Sequence, residues 1–361
     1  MSRFSLLDLF RGKALTIPPL DGPLQPNTAL DDAAPWLAVT QPDNLSADGD
    51  RVLFSSGNQL LRLPQQPHAA AALLWTFAHP IISMASRPGG GVVLALADDS
   101  LWLWQGNSPQ PLTPPQPEIG CITAMLFIDR QQLVLCSGSR RLPASEWSRD
   151  LLLKHREGSV WLWDLASQQA RCLAAGLGYP QGVCAGPQPD TLLVTESWRH
   201  RVIALSLTRA GIRVVLDHLP AYPSRIVACR EGHGFWLSCF APRNRLVEFV
   251  LQEKAYRHAM LAEVAPEYWI APAYASGASF LEPLQCGGIK VMGVHKPWSP
   301  SRSWGLVVRL DQQGQPLASY HSRADGQRHG VNSVLETADA LWVASRGGNV
   351  VMNLRQEPYH A

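Results

Sequence analysis

The sequence predicts an all-β fold, a six-bladed β-propeller with helix confined to insertions. Three observations predict it. A phrase of four short strands recurs six times between residues 36 and 354, at the blade-length period of roughly 40 to 50 residues. The strands are short runs of β-branched and aromatic residues bounded by Gly, Asp and Asn. The sixth copy ends one strand short, while a lone strand around Trp36–Thr40 precedes the first. A four-stranded sheet has two faces to bury, and radial packing buries both against neighbouring blades. The lone strand would then complete the last sheet and join the chain ends.

Residues 1–35 read as an N-terminal arm. MSRFSLLDLFRGK could form one or two amphipathic turns with Phe4, Leu7 and Phe10 on one side, and residues 12–35 are irregular and rich in Pro, Asp and Gly. The apolar patch is too short and too polar for a secretory core or a membrane span, so a cytoplasmic location is expected.

The first copy is DNLSADGDRVLFSSGNQLLRL with LLWTFA. The second is IISMASRPGGGVVLALADDSLWLWQ with PQPLT. The third opens with CITAMLFIDRQQLVLCSGS and resumes at GSVWLWDLASQQARCLA. The fourth is built from GLGYPQGVCAGPQPDTLLVTESWRHRVIALSL and IRVVLDHL. The fifth opens with SRIVACREGHGFWLSCF and resumes at GLVVRLDQQGQPLASYH. The sixth is VNSVLETADALWVASRGGNVVMNL, and residues 355–361 form a tail. Insertions at 140–157 and 243–303 leave from the second strand of their blades and return to the third. That places both on one face of the disk, where they would cap the central channel.

Composition narrows the function. The chain is 46% hydrophobic and 17% charged with a net charge of +2, which describes a folded protein with no electrostatic reason to bind nucleic acid. The seven cysteines include no CxxC pair and sit mostly in apolar runs, so they read as buried thiols and not as a zinc site or disulfide framework. No GxSxG elbow accompanies Ser137, Ser139 or Ser345, and His295, His321 and His329 read as surface or packing residues. The 13 Trp residues read as blade packing.

The run YPQGV…LLVTESWRHRV at Tyr179–Arg201 resembles the strictosidine-synthase-like family of six-bladed propellers, whose phrase has the form Y/F-P-N-G-V…L-x-V-A-E-T…R. LPAYPSRIVACREGHGFWLSCFAPRNRL resembles that family's L-P-G-Y-P-D-N-I…G-x-F-W-V-A…S-P-R-N, and PASEWSRDLL and GLVVRLDQQGQPLASYH match as well. The resemblance spans roughly residues 36 to 354. It implies a channel-facing site and a more distant likeness to paraoxonase- and gluconolactonase-type hydrolases, which hold calcium in the channel. Here the positions implied to ligate calcium depart from the pattern: Gln181 stands for the Asn of PNG, and Ser224–Arg225 for the Asp-Asn of YPDN. Asp43 and Asn44 alone remain as oxygen ligands, so no channel calcium and no other cofactor is expected. The glutamate base implied by the resemblance falls at Asn332, which cannot take a proton at neutral pH, with Glu336 the nearest carboxylate.

The resulting expectation is a small-molecule enzyme working in the channel without calcium, by ester or lactone hydrolysis or by amine–carbonyl condensation. The alternative is a non-catalytic ligand-binding or scaffold propeller. Glu196, Arg225 and Asn332 are the candidate catalytic residues; Asp43, Asn44, Tyr179, Gln181, Tyr222 and Ser224 are the candidate substrate-binding ones. Glu196 reads either as a channel-side acid or base, or as the partner of Arg199 and Arg201 at a turn. Arg225 reads either as the anchor of an anionic ligand or as a salt bridge to Asp43 filling the old metal seat.

Overall fold

The computed structural model describes residues 17–354 except 115, 117, 231, 278–280, 284–289, 292–293 and 296–300, with backbone alone at 290–291 and 294–295. The possible helix at Phe4–Phe10, Cys286, the His295 side chain and the tail 355–361 lie outside the described residues.

Six four-stranded antiparallel sheets form the blades. Their innermost strands are Pro42–Asp48, Ile81–Ser86, Ile122–Phe127, Pro180–Ala185, Ala221–Ala228 and Val331–Glu336, in blades 1 to 6. The second strands, such as Val92–Leu96 and Leu341–Ser345, are buried along their whole length. This explains why they read as unbroken apolar runs: each faces a neighbouring blade on both sides. Outer strands such as Ile212–Leu216 are largely exposed. Between blades 3 and 4, Val134, Cys136 and Val160 pack on Val183, Leu192, Val194 and Ile203. Each such side chain contributes about 1.5–3 kcal/mol when fully buried.

The closing strand is Pro35–Ala38, one residue earlier than its sequence signal, and it pairs with Val350–Leu354 at Leu37↔Val351. Trp36 clamps the seam. Its ring meets Trp342 edge-on at 4.9 Å, and its indole N–H donates to the Pro64 carbonyl at 3.0 Å.

The described part of the arm is more ordered than its composition suggests. A turn at Gly22–Leu24 and a one-turn helix at Ala29–Asp32 lie against blade 5. Asn27 bonds Ser319 O at 2.8 Å and accepts the His321 N–H at 3.0 Å, while Leu30 is fully buried. Helix is therefore not confined to the insertions, and a further helical turn follows Glu196 at Ser197–Arg199.

Both insertions join the second and third strands of their blades, as expected. The first carries the helix Trp147–Leu153, and the second carries Arg245–Val250 and Lys254–Glu263. Asn244 caps the helix Arg245–Val250 by accepting the Leu246 N–H at 2.8 Å. Leu151 and Leu152 from the first insertion pack with Val247, Val250, Met260 and Trp269 from the second, over Tyr222 and Phe240 of blade 5. The described parts of the two insertions pack together as one lid.

Candidate functional site at the capped mouth of the axis

Every innermost strand breaks register near its channel-side start, once in five blades and twice in blade 5, where a further skip falls between Tyr222 and Pro223. The pairing skips between Asp43 and Ser46, Ile81 and Ser83, Ile122 and Ala124, Pro180 and Gly182, Pro223 and Ile226, and Val331 and Ser333. A bulge leaves its extra residue out of the ladder and frees that residue's carbonyl. The freed positions are Asn44–Leu45, Ile82, Thr123, Gln181, Ser224–Arg225 and Asn332, one set per blade. Backbones approach closely here: a Cβ on Gly182 would stand 2.4 Å from Ser224 O, so only glycine fits.

The Arg225 guanidinium collects the freed oxygens. One terminal nitrogen donates to Thr123 O at 2.5 Å and Gln181 O at 3.3 Å. The other donates to Ile82 O at 2.9 Å and to the Asn44 side-chain oxygen. One side chain from blade 5 thus bonds blades 1, 2, 3 and 4. Blade 6 is tied in through Asn332 O, which accepts from Ser224 Oγ at 3.1 Å and Ser238 Oγ at 2.8 Å.

Asp43 lies beside this seat, 3.8 Å from Arg225 Nε. Its oxygens also accept the Asn44 N–H at 2.7 Å and the Asn332 amide at 3.1 Å. On its other side, Arg346 Nη1 stands 3.7 Å away. Arg346 lies over the ring of Tyr274 at 4.5 Å. Burial pushes the Tyr274 phenol above its ordinary pKa against the opposing charge of Arg346, with a smaller push from Asp43, and the phenol sits beside the Asn332 amide. Arg346 and Tyr274 were not singled out from the sequence. Arg346 directly follows the second strand of blade 6, just as Ser197 follows that of blade 4, so superposing the copies would have placed it at the mouth. Tyr274 comes from the lid, where no repeat guides the reading.

The other candidates distribute around this cluster. Gln181 keeps its side chain at the mouth, accepting from Ser197 Oγ at 2.9 Å. Tyr179 is buried and stacks on Trp198 at 4.5 Å, and Tyr222 is buried under the lid against His200. Ser224 is spent on Asn332 O. Glu196 is fully buried, but its carboxylate holds Gly178 N at 2.7 Å, Arg199 at 3.1 Å and Arg201 at 2.5 Å, none of them part of the axial set. It pins the turn between two strands. Glu336 binds Arg230 N and the Trp236 indole at the opposite end of its strand, away from the mouth.

Calcium takes six to eight oxygens at 2.3–2.6 Å. Here four of the converging oxygens already accept guanidinium protons, and a fixed positive charge fills the space between them. These residues do not fit a divalent cation in the axial seat. Among the described residues, no group of three or more His, Cys, Asp or Glu side chains is placed to hold a metal.

No family model matches the chain. Adipocyte plasma membrane-associated protein of Bos taurus is 26% identical over 161 residues, which is 39% of this chain and 39% of that protein. Strictosidine synthase-like 6 of Arabidopsis thaliana is 20% identical over 201 residues, 56% of this chain and 46% of that protein. The matched stretch spans less than half the length of these curated relatives. Among solved structures, a gluconolactonase of Xanthomonas campestris superposes with a TM-score of 0.54 at 11% identity, covering 90% of this chain and 87% of that one. A luciferin-regenerating enzyme gives 0.53 at 11% identity, covering 88% and 91%. The chain is a six-bladed propeller related to the strictosidine synthase-like proteins and folded like the gluconolactonase-type propellers.

Proposed function

We propose that this propeller binds a small organic molecule at the lidded mouth of its axis, and that it does so without a divalent cation in the channel. The observation that carries the reading is the axial seat itself. Arg225 occupies it and satisfies the oxygens that a cation would otherwise gather, while the side chains above it stay partly exposed: Arg346, Tyr274, Gln181, Trp147 and Trp198. Converging polar groups beside an aromatic wall and beneath a lid make a small-molecule site.

One observation favours turnover, by ester or lactone hydrolysis or by amine–carbonyl condensation. The Tyr274 phenol beside Asn332 can donate a hydrogen bond to a carbonyl oxygen at the mouth, although burial holds its proton too tightly for an efficient general acid near neutrality. Against it, both oxygens of Asp43 already accept hydrogen bonds, and Glu196 is committed to its arginines. Binding is therefore the primary reading and catalysis the secondary one.

A thermal-shift screen of small organic molecules, run in excess EDTA and again in millimolar calcium, tests it. A ligand at a hundred times its Kd should add about 2.7 kcal/mol to stability in both buffers. Stabilisation that appears only with calcium contradicts the reading.

A further inference from the structure

We infer that Arg346, and not Arg225, is the ligand-reading cation of the mouth, and that the group it reads is the carboxylate of an organic monoacid. The inference rests on the mouth being the binding site. It names the ligand's chemistry and the side chain that selects it.

The two arginines sit in opposite states. Arg225 has both terminal nitrogens committed to backbone and amide oxygens of four other blades. It has nothing left to offer a ligand except Nε, which faces Asp43. Arg346 makes no side-chain hydrogen bond among the described residues. It is held by two weaker restraints, the 3.7 Å approach to Asp43 and the stack over Tyr274 at 4.5 Å, and its side chain is 34% exposed. An arginine fixed by its face, donating no side-chain hydrogen bond and meeting Asp43 only at 3.7 Å through Nη1, can turn its remaining N–H edge to a planar oxyanion through two parallel bonds.

Charge selects the class. Around Asp43, Arg225 and Arg346 carry two positive charges and Asp43 one negative, an excess of one positive charge, while the further buried carboxylate by the wall, Asp150, is already bonded by Ser139 Oγ, the Trp198 indole and His155 Nδ1. A monocarboxylate neutralises that excess, whereas a phosphate dianion overshoots it next to a buried Asp43. Partly exposed Trp147 and Trp198 continue the aromatic wall from Tyr274, with Trp147 5.2 Å from Tyr274 and 6.2 Å from Trp198. That wall suits a carboxylate carried on a flat apolar body.

The test is calorimetric titration of the full chain with benzoate and indole-3-acetate, with the corresponding amides as uncharged controls and with inorganic phosphate. The acids should bind, and the amides should bind about tenfold or more weakly, since a charge-assisted pair is lost. Arg346→Gln should weaken the acids about tenfold or more and leave the amides unchanged. Arg346→Lys should retain part of the affinity. Equal binding of acids and amides, unchanged acid binding in R346Q, phosphate binding in preference to the acids, or no binding of either acid overturns the inference. Asn332→Ala separates the two levels of the argument. If R346Q leaves the acids unaffected while N332A abolishes their binding, the anchor assignment fails and the mouth stands. If neither variant changes binding, both fail.

Discussion

Arg225 places a permanent charge where freed carbonyls from several blades converge, and the energetics of that choice are one-sided. Removing one partner of such a buried set leaves the others desolvated and unpaired, at a cost of about 3–5 kcal/mol. Arg225→Ala should therefore lower unfolding stability in urea by about that amount, and Arg225→Lys by less, since an ammonium retains the charge but cannot span four blades. Equal stability of wild type and R225A would remove the guanidinium from its proposed role. Glu196 makes a contrasting case. Glu196→Gln should cost about 3 kcal/mol, because two arginines lose a fully buried counter-charge. Ligand affinity at the mouth should be unchanged, and a loss of affinity without a loss of stability would restore Glu196 to the site. The two readings of Glu196 and of Arg225 could not be separated in the sequence. Which oxygen an arginine meets depends on where the bulges fall, and a bulge is a matter of pairing between strands distant in the chain.

The lid is fastened to the blades by ionisable groups, and this makes it sensitive to acid. Glu248 on the helix Arg245–Val250 accepts from Arg243 at 3.2 Å through both oxygens and lies 3.3 Å from His200 Nε2, while His200 Nδ1 faces Ala221 O at 3.2 Å. Burial raises the Glu248 pKa, but hydrogen bonds from His200 and Arg243 outweigh it and hold the carboxyl at about 2, below its reference of 4.5. Burial pushes His200 below its reference of 6.5 despite Glu248. Both shifts have the same sign. The unfolded or detached state binds more protons than the folded one, so stability is full above 6.5 and falls as acid is added, first through His200 and then from 4.5 towards 2 through Glu248. Hydrogen exchange of the Arg245–Val250 amides should accelerate relative to the blades as pH drops from about 7 to about 4, after correction for intrinsic rates. A constant ratio across that range would contradict the fastening. The existence and place of the insertions were legible from the interrupted third and fifth copies. Their mutual packing was not, because helices this short carry no partner signal.

At the scale of the whole ring, closure decides stability. The strand Pro35–Ala38 gives blade 6 its outer edge, and Trp36 and Leu37 bury against Trp342 and Val351. Trp36→Ala should cost about 3–5 kcal/mol, read by urea unfolding, as expected for a packed aromatic removed from a seam. An effect under about 1 kcal/mol would mean that the seam is held elsewhere. This level of organisation was the most legible. Six repeats, one missing strand and one spare strand are facts of spacing, and radial burial of both faces of each sheet leaves few other arrangements. The mouth was half legible. Asp43, Asn44, Gln181, Arg225 and Asn332 do converge, because the repeat places all of them at the same point of the inner strands, whereas Tyr274 and Arg346 enter from the lid and from a loop of blade 6. A side chain of the protein, Arg225, holds the axial seat, and the reading of the mouth depends on it. A crystal structure of the full chain grown in calcium examines it directly. The prediction is continuous Arg225 density reaching Thr123, Gln181, Ile82 and Asn44, with no cation between them. A calcium ion bound by Asp43 and Asn44, with Arg225 swung out of the axis, would contradict it.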